Sequence, residues 1–290
     1  MIDLHTHTTF SDGTSTPEAL LQEARSIGLR ALAITDHDTF SGFDAVLPLA
    51  PQHGIELICG LELSTQVYVE QIGRSSQVHL LGYFLGQLPP PHFREWLTTI
   101  SSLRYARNLK LMAHLQAKNL AIDWPDFPLP PQTLSRTHFA NVLLAKGYVP
   151  DRQRAFDLYL SDEMLGGIER KLPSVAEGIE RICGAGGLPS LAHPVRLPFH
   201  HLALRSFIQE MTGCGLRALE VYHSDHKPED TNKFLQLTAD FGLLATGGSD
   251  YHGQNKPDIM LGKGRGNLCL AYTLLEAMKE SVKDRHSPFS

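Results

Sequence analysis

Residues 30–38 read Arg-Ala-Leu-Ala-Ile-Thr-Asp-His-Asp and join a short apolar run directly to three polar residues. An apolar run of this length is typical of a strand that is buried on both faces of a sheet. Similar runs recur along the chain, and helical patterns separate most of them. We predict strands at residues 1–4, 30–35, 55–59, 78–84, 188–192, 217–222 and 243–246. Because strands and helices alternate, the sequence predicts an α/β fold, either layered or a barrel.

Two further features complete the predicted organisation. Residues 78–84 are expected to pair with residues 63–70 across a polar loop at 71–77. The middle of the chain shows helical patterns without a strand pattern, beginning with a long predicted helix at 93–119. We therefore expect a small inserted helical domain at residues 96–170. It separates the two parts of the α/β domain, which are residues 1–95 and 171–290.

Composition and charge exclude several classes of protein. The chain has 290 residues, with 26 basic and 31 acidic side chains and a net charge of −5. This balance argues against nucleic-acid binding by bulk charge, although it leaves room for a local basic pocket. No apolar run reaches the roughly 20 residues that span a bilayer, and the N-terminus lacks a signal-peptide pattern. Four cysteines without a CxxC pair favour a reducing cytoplasm.

Histidine is abundant, with 15 copies, and six of them lie at or just after predicted strand ends. Residues two apart in a strand point to the same side, so His5 and His7 can bind one ion together. Asp250 and His252 repeat this spacing. Imidazole and carboxylate groups without thiolates suit a catalytic Zn, Mn or Fe centre. The candidate metal ligands are His5, His7, Asp12, His37, Glu62, His79, His193, Asp250 and His252.

An ordered series of motifs resembles the PHP family (polymerase and histidinol phosphatase). The motifs are His5-Thr-His7, Ser11-Asp-Gly13, Thr35-Asp-His-Asp38, Gly60-Leu-Glu62, Val78-His79, Ala192-His-Pro194 and Ser249-Asp-Tyr-His252. The resemblance implies a distorted (β/α)7 barrel with an inserted helical domain and two to three divalent ions, Mn, Zn or Fe. It assigns one ion to His5, His7, Glu62 and Asp250. A second ion would share Glu62 with His79 and His193, and a third would be bound by Asp12, His37 and His252.

Two segments resemble a narrower subgroup, which contains nucleoside 3',5'-bisphosphate phosphatases, AMP-type phosphatases and ribonuclease AM. They are Leu134-Ser-Arg-Thr-His-Phe-Ala140 and Ala192-His-Pro-Val-Arg196. In that subgroup the helical insertion caps the barrel, which implies catalytic and substrate-binding roles for Arg136, His138 and Arg196. The planar fork of an arginine suits this role because it can hold two phosphate oxygens. Two departures are Asn141, where the subgroup often has Arg, and Val195, where Gly is usual.

The segment Tyr222-His-Ser-Asp-His226 is also similar to the family, which implies that His226 contacts the substrate. We interpret His223 as solvent-facing or structural. The predicted activity is the hydrolysis of a nucleotide phosphomonoester, 3',5'-bisphosphate or AMP-like, by a hydroxide that bridges two ions. The expected partner is thus a phosphorylated small molecule, and neither a membrane nor an obligate protein partner is expected.

Four other functions remain open at this point. A 5'-3' exoribonuclease could contact short RNA through Arg104, Arg107 and Lys110 of the long predicted helix. A histidinol-phosphate-type phosphatase is disfavoured by the insertion and by the Ser135-to-Phe139 segment. An amidohydrolase would also use an HxH barrel, but the paired arginines argue against it. A non-catalytic metal-stabilised module belongs to a different class, and the complete ligand set favours an enzyme.

Overall fold

The computed structural model describes residues 1–165, 167–168 and 171–283. The chain divides into two compact units. One consists of Met1–Arg94 together with the chain from Pro173 onward, and the other consists of Glu95–Leu172. Residues 166, 169–170 and 284–290 fall within the predicted domain ranges but lie outside the described residues.

The first unit is built on one seven-stranded sheet whose strands follow chain order. The strands are β1 (Ile2–Asp3), β2 (Ala31–Ile34), β3 (Glu56–Val69), β4 (Arg74–Phe84), β5 (Leu188–Leu191), β6 (Ala218–His223) and β7 (Leu244–Gly248). Strands β1 to β3 and β5 to β7 pair in parallel, whereas β4 is antiparallel to both of its neighbours. The antiparallel strand is what distorts the otherwise parallel arrangement.

Backbone hydrogen bonds just beyond β1 and β7 nearly close this sheet into a barrel. Asp250 donates its N–H to the carbonyl of His5 at 2.8 Å, and His7 donates to the carbonyl of Tyr251 at 2.9 Å. The predicted α/β barrel of seven strands is thereby confirmed. Closure also brings the two ends of the strand series together, so that residues near the beginning and the end of the chain become neighbours.

The structure contains the long predicted helix as α4 (Pro91–Ala117), which begins two residues earlier and ends two residues earlier than the predicted range of 93–119. In chain order, the helices are α1 (Pro17–Ser26), α2 (Ser41–Val46), α3 (Ala50–His53), α4 (Pro91–Ala117), α5 (Arg136–Ala145), α6 (Arg152–Ala155), α7 (Asp162–Leu165), α8 (Val175–Gly184), α9 (His201–Gly213), α10 (Pro228–Phe241) and α11 (Thr273–Lys283). Helix α1 begins as its sequence indicates, because the Thr16 hydroxyl accepts the N–H of Ala19 at 3.2 Å and Pro17 occupies the first helical position. Within the described residues, no helix has both the length and the apolar composition of a membrane span.

Strand β3 differs from the prediction. The sequence predicts separate segments at 55–59 and 63–70, whereas the structure has one strand from Glu56 to Val69. Antiparallel pairing with β4 continues without a break from Cys59–Phe84 to Val69–Arg74, so the backbone stays extended through Gly60. The predicted polar loop at 71–77 is shorter for the same reason, because β4 already begins at Arg74.

The described residues of the second unit form helices and connecting loops, without a strand. It contains the C-terminal part of α4, then α5, α6, a π-helical segment at Phe156–Leu160, and α7. An apolar core that includes Leu111, Leu115, Phe139 and Leu143 holds these helices together. The unit therefore has a hydrophobic core of its own, distinct from the core of the barrel.

Candidate metal centre

Polar side chains that follow the carboxyl ends of several barrel strands lie together in one cluster. His5 and His7 follow β1, His37 follows β2, and His193 follows β5. Asp250 and His252 follow β7 in the same way. Glu62 and His79 instead lie within β3 and β4, because the antiparallel ladder runs on past them.

Glu62 lies at the centre of this cluster and is 1% exposed. Five imidazoles surround its carboxylate. Oε2 lies 3.4 Å from His5 Nε2, 3.1 Å from His7 Nε2 and 3.2 Å from His37 Nδ1, and Oε1 lies 2.7 Å from His79 Nδ1 and 2.8 Å from His193 Nε2. Each oxygen of the carboxylate therefore faces a different group of histidines.

Two other carboxylates complete the cluster. Asp250 Oδ1 lies 3.5 Å from His5 Nε2 and 3.4 Å from His7 Nε2. Asp12 Oδ1 lies 3.7 Å from His37 Nε2 and 3.2 Å from His252 Nε2. The structure thus brings all nine candidate ligands together. Three groups drawn from these nine residues have all their ligand atoms within 4.8 Å of one another: His5, His7, Glu62 and Asp250; His7, Asp12, His37 and His252; and His37, Glu62 and His79.

The donor atoms of this cluster fit divalent cations. His5 Nε2, His7 Nε2, Asp12 Oδ1 and His37 Nδ1 are buried without a hydrogen-bond partner in the described part of the chain. Buried polar atoms are normally satisfied, because leaving one unpaired costs about 1–3 kcal/mol. A divalent ion would satisfy these atoms and offset the buried negative charge. Nitrogen and carboxylate ligands are those that Zn, Mn and Fe accept.

The cluster shifts the pKa values of its histidines in both directions. Burial opposes protonation of His7, but Asp250 and Glu62 outweigh it and raise the pKa of His7 to about 9, and the carboxylates around His5 likewise raise the pKa of His5 well above its usual range. Burial lowers the pKa of His37 to about 3, and burial together with the Arg196 charge lowers the pKa of His193 to about 3. Both imidazoles are therefore neutral near pH 7. Burial opposes ionisation of Glu62, but His79 and His37 outweigh it and hold its pKa well below the usual range.

Three residues of the site have a left-handed backbone, which side chains other than glycine rarely adopt. They are Asp38 (φ 58°), His193 (φ 27°) and Asp250 (φ 57°). Residues held in such conformations cost of order 1–3 kcal/mol each and cluster at functional sites. At His193 and Asp250 the turn follows directly on a strand, so the unusual backbone directs a candidate ligand into the barrel mouth.

Two positively charged side chains contact Oδ2 of Asp250, the oxygen that does not face His5 and His7. Arg196 Nη1 lies 2.9 Å and Lys256 Nζ 2.6 Å from Oδ2. Arg196 also donates through Nε and Nη2 to Asp225 Oδ2, at 2.8 and 2.5 Å. Burial opposes the charge of Arg196, but Asp250 and Asp225 outweigh it and raise its pKa. The predicted arginine therefore lies beside the candidate ligands.

The turn that carries Arg196 accommodates Val195, although glycine is usual there in the subgroup. Of the three residues Pro194–Arg196, none has a positive φ, and the left-handed residue is His193 just before them. Val195 is 38% exposed. The departure from the motif thus requires no special backbone conformation.

His223 is buried, so the solvent-facing interpretation is wrong. Its Nε2 lies 3.4 Å from Asp250 Oδ2, and its Nδ1 accepts the N–H of Asp225. The β-strand places it on the barrel interior rather than on the surface. His226 is buried too, donates through Nδ1 to the carbonyl of Val221 at 2.8 Å, and packs against Phe234.

Sequence reasoning missed several groups at this site: Glu220, Asp225 and Lys256. Glu220 is fully buried within β6, between His5 and His193. Burial opposes its charge, but His5 and His223 outweigh this and lower its pKa to about 2. One signal could have identified Glu220, because it is a single carboxylate inside the otherwise apolar run of β6. A buried charge requires partners, which indicates that other polar groups lie close to it.

The remaining predicted substrate residues belong to the second unit. Arg136 is the first residue of α5 and donates to the carbonyl of Leu160 at 3.2 Å. His138 is buried, and its Nδ1 accepts the N–H of Ser135 at 3.0 Å in the N-terminal cap of the same helix. Asn141 accepts from Nε of Arg152 at 2.7 Å. Their roles toward a substrate stay predictions.

Known proteins are similar to this chain in fold and in sequence. A solved structure from Bifidobacterium adolescentis, predicted to be a metal-dependent phosphoesterase, superposes with a TM-score of 0.80 at 32% identity, covering 95% of this chain and 94% of that one. The barrel and its histidine–carboxylate cluster define a metal-dependent phosphoesterase, a hydrolase of phosphoric esters. Residues 3–186 match the PHP domain model. The chain belongs to the PHP domain family.

Characterised relatives differ in their activities. A 3',5'-nucleoside bisphosphate phosphatase of Chromobacterium violaceum is 32% identical over 87% of this chain and 87% of its own length. A phosphoribosyl 1,2-cyclic phosphate 1,2-diphosphodiesterase of Eggerthella lenta is 30% identical over 87% and 94%. A 5'-3' exoribonuclease of Haemophilus influenzae is 28% identical over 86% and 89%. The match to the narrower subgroup is thus confirmed.

Proposed function

We propose that this phosphoesterase removes a phosphate monoester from a nucleotide, with a 3',5'-bisphosphate or AMP-like nucleotide as its substrate. The observation that supports this most directly is the contact of Arg196 with Asp250, because it sets a phosphate-binding cation beside the candidate ligands. The bisphosphate phosphatase of C. violaceum supports the choice of nucleotide. The contacts of Asp250 with His5 and His7 support a second role for the same carboxylate as an ion ligand.

We propose two to three resident ions of Mn, Zn or Fe. The first would be held by His5, His7, Glu62 and Asp250, the second by Glu62, His79 and His193, and the third by Asp12, His37 and His252. When bound, such ions lower the pKa of water to about 7 and neutralise charge on the phosphoryl oxygens.

The residues of the chain contribute binding, orientation and proton handling. Arg196 donates to the phosphoryl oxygens through its planar fork, where negative charge gathers in the transition state. Lys256 adds a second positive charge on the same side of Asp250. His138 protonates the leaving oxygen, and Arg136 and His226 bind the substrate. These three assignments rest on the resemblance of the segments around residues 134–140 and 222–226.

A substrate panel tests this proposal. Hydrolysis of a 3',5'-bisphosphate nucleotide, AMP, a 1,2-cyclic phosphate, histidinol phosphate and a 5'-phosphorylated short RNA is compared in the presence of Mn²⁺. The proposal expects the highest kcat/KM for one of the two nucleotides. A dominant kcat/KM for the RNA would identify an exoribonuclease instead, and activity on none of the esters after metal loading would contradict the proposal.

We also propose that the enzyme works in a reducing cytoplasm. Cys59, Cys183, Cys214 and Cys269 are all free thiols, which is the state that such a compartment maintains. Its partner is a phosphorylated small molecule.

A further inference from the structure

Glu220 is a buried carboxylate that none of the three ion groups uses. It lies in β6, is 0% exposed, and is flanked along the strand by apolar residues. A charge in such a position is strongly destabilising unless it is paired and hydrogen-bonded. The partners of Glu220 are therefore informative about why the barrel retains it.

The first partner is the ring of His5. Nδ1 lies 2.8 Å from Glu220 Oε1, and since a carboxylate only accepts, Nδ1 must carry the proton. In the neutral ring, this tautomer leaves the lone pair on Nε2. Nε2 is the atom that faces Glu62 and Asp250, at 3.4 and 3.5 Å. A histidine that binds metal usually donates its other N–H to a carboxylate in this way.

The second partner is the main chain of His193. Its N–H donates to Glu220 Oε2 at 2.6 Å. His193 has a φ of 27°, so this peptide needs a strong contact to hold its left-handed conformation. The held backbone aims the ring, whose Nε2 lies 2.8 Å from Glu62 Oε1.

Glu220 could in principle be an ion ligand together with His5 and His223, whose donor atoms lie close to it. The hydrogen bonds argue against this. Nδ1 of His5 already gives its proton to Glu220. Nδ1 of His223 accepts the N–H of Asp225 at 3.0 Å, so the proton of its ring is on Nε2, which faces Asp250. Neither ring offers Glu220 a free lone pair.

We propose that Glu220 is a positioning residue that sets the geometry of two ion groups at once, through the ring of His5 and the backbone of His193. His5 belongs to the group with His7 and Asp250, whereas His193 belongs to the group with His79. One carboxylate thus couples ligands that face different oxygens of Glu62. The inference concerns ion binding and does not depend on which phosphate ester is hydrolysed.

The test measures Mn²⁺ binding by calorimetry on protein that has been stripped with a chelator. Glu220→Gln keeps the size of the side chain, but its amide nitrogen must face one of the two N–H donors. We expect Mn²⁺ affinity to fall about 10–100-fold, the range for loss of a residue that orients metal ligands. The site of Asp12, His37 and His252 should retain its affinity, and kcat should fall more than KM changes.

Two further variants make the result decisive. Ser190→Ala removes a buried hydrogen bond of 2.8 Å to Thr246 in the same barrel, so it should lower the melting temperature and leave Mn²⁺ binding unchanged. Glu220→Asp keeps the charge, but it is one methylene shorter and can reach only one partner. Its affinity should lie between those of wild type and Glu220→Gln.

Several results would overturn the proposal. One is folded Glu220→Gln protein with wild-type Mn²⁺ affinity, and another is an equal loss of affinity in Ser190→Ala. If Glu220→Gln shows no cooperative unfolding, Glu220→Asp decides, and wild-type affinity in that variant refutes the positioning role. Loss of folding in both metal-free variants would also refute it, since Glu220 would then serve the barrel itself.

Discussion

Replacing Glu62 by glutamine is the sharpest test of the shared-carboxylate arrangement. Glu62 Oε2 faces three imidazoles and Oε1 faces two, at 2.7–3.4 Å. Glutamine keeps one oxygen and replaces the other with an amide nitrogen, which cannot bind a cation. Glu62→Gln therefore removes a ligand from one of the two ion groups that share this residue and removes a negative charge from both.

The size of the effect follows from the energy of metal binding. Four-ligand structural zinc sites contribute about 10–16 kcal/mol, or about 2.5–4 kcal/mol for each ligand. Loss of one ligand should therefore raise the dissociation constant of the ion roughly 10²–10³-fold. We expect Glu62→Gln to lose at least one bound ion on dialysis and to lose its phosphoesterase activity with it.

The assay is the ion content of the dialysed protein, followed by Mn²⁺ titration and activity at saturating Mn²⁺. Glu18→Gln is the matched control, because it makes the same chemical change at an exposed residue of α1, away from the barrel mouth. The circular dichroism of both variants verifies the fold. If Glu62→Gln kept the ion content and affinity of wild type, the idea that Glu62 joins two ion groups would be wrong.

Three further outcomes are expected. Arg196→Ala should lower kcat/KM roughly 10–150-fold at saturating Mn²⁺, the equivalent of about 1.5–3 kcal/mol for hydrogen bonds to a charged group, and an unchanged kcat/KM would remove Arg196 from the site. Gly248→Ala should destabilise the protein by about 1–3 kcal/mol in chemical denaturation, because its new Cβ would overlap the backbone of His5. Gly213→Ala serves as the control, because a Cβ added at Gly213 would meet no atom within 4 Å. Burial raises the pKa of Cys59 from 9.0 to about 12, so the folded state keeps its proton longer than the unfolded state, and stability should fall as pH rises from 9.0 toward 12. A thiol reagent at mildly alkaline pH should accordingly modify exposed Cys214 and spare Cys59 until the protein is unfolded, and labelling of Cys59 in folded protein would contradict this.

Local sequence was sufficient to predict most of the strands and to select the candidate ligands. Apolar runs of four to six residues indicate buried strands, and the His5–His7 spacing indicates ligands on one side of the chain, because both signals depend only on near neighbours. Strand β3 shows where this reasoning ends. The sequence predicts separate segments at 55–59 and 63–70, but pairing with β4 keeps one strand extended, and that pairing is a property of the sheet rather than of the segment.

The groups that surround each candidate ligand depend on the tertiary structure of the barrel and could not be predicted from the sequence. Glu220 reads as one polar residue in an apolar strand, yet it bonds to His5, which lies 215 positions away in the chain. Arg196 was identified by motif, but its contacts with Asp225 and Asp250 depend on the arrangement of three separate loops. The physical reason is that periodicity along the chain specifies which side of a strand a residue occupies. Its partners across the barrel are set by strand order, register and closure, which residues far apart in the sequence establish together.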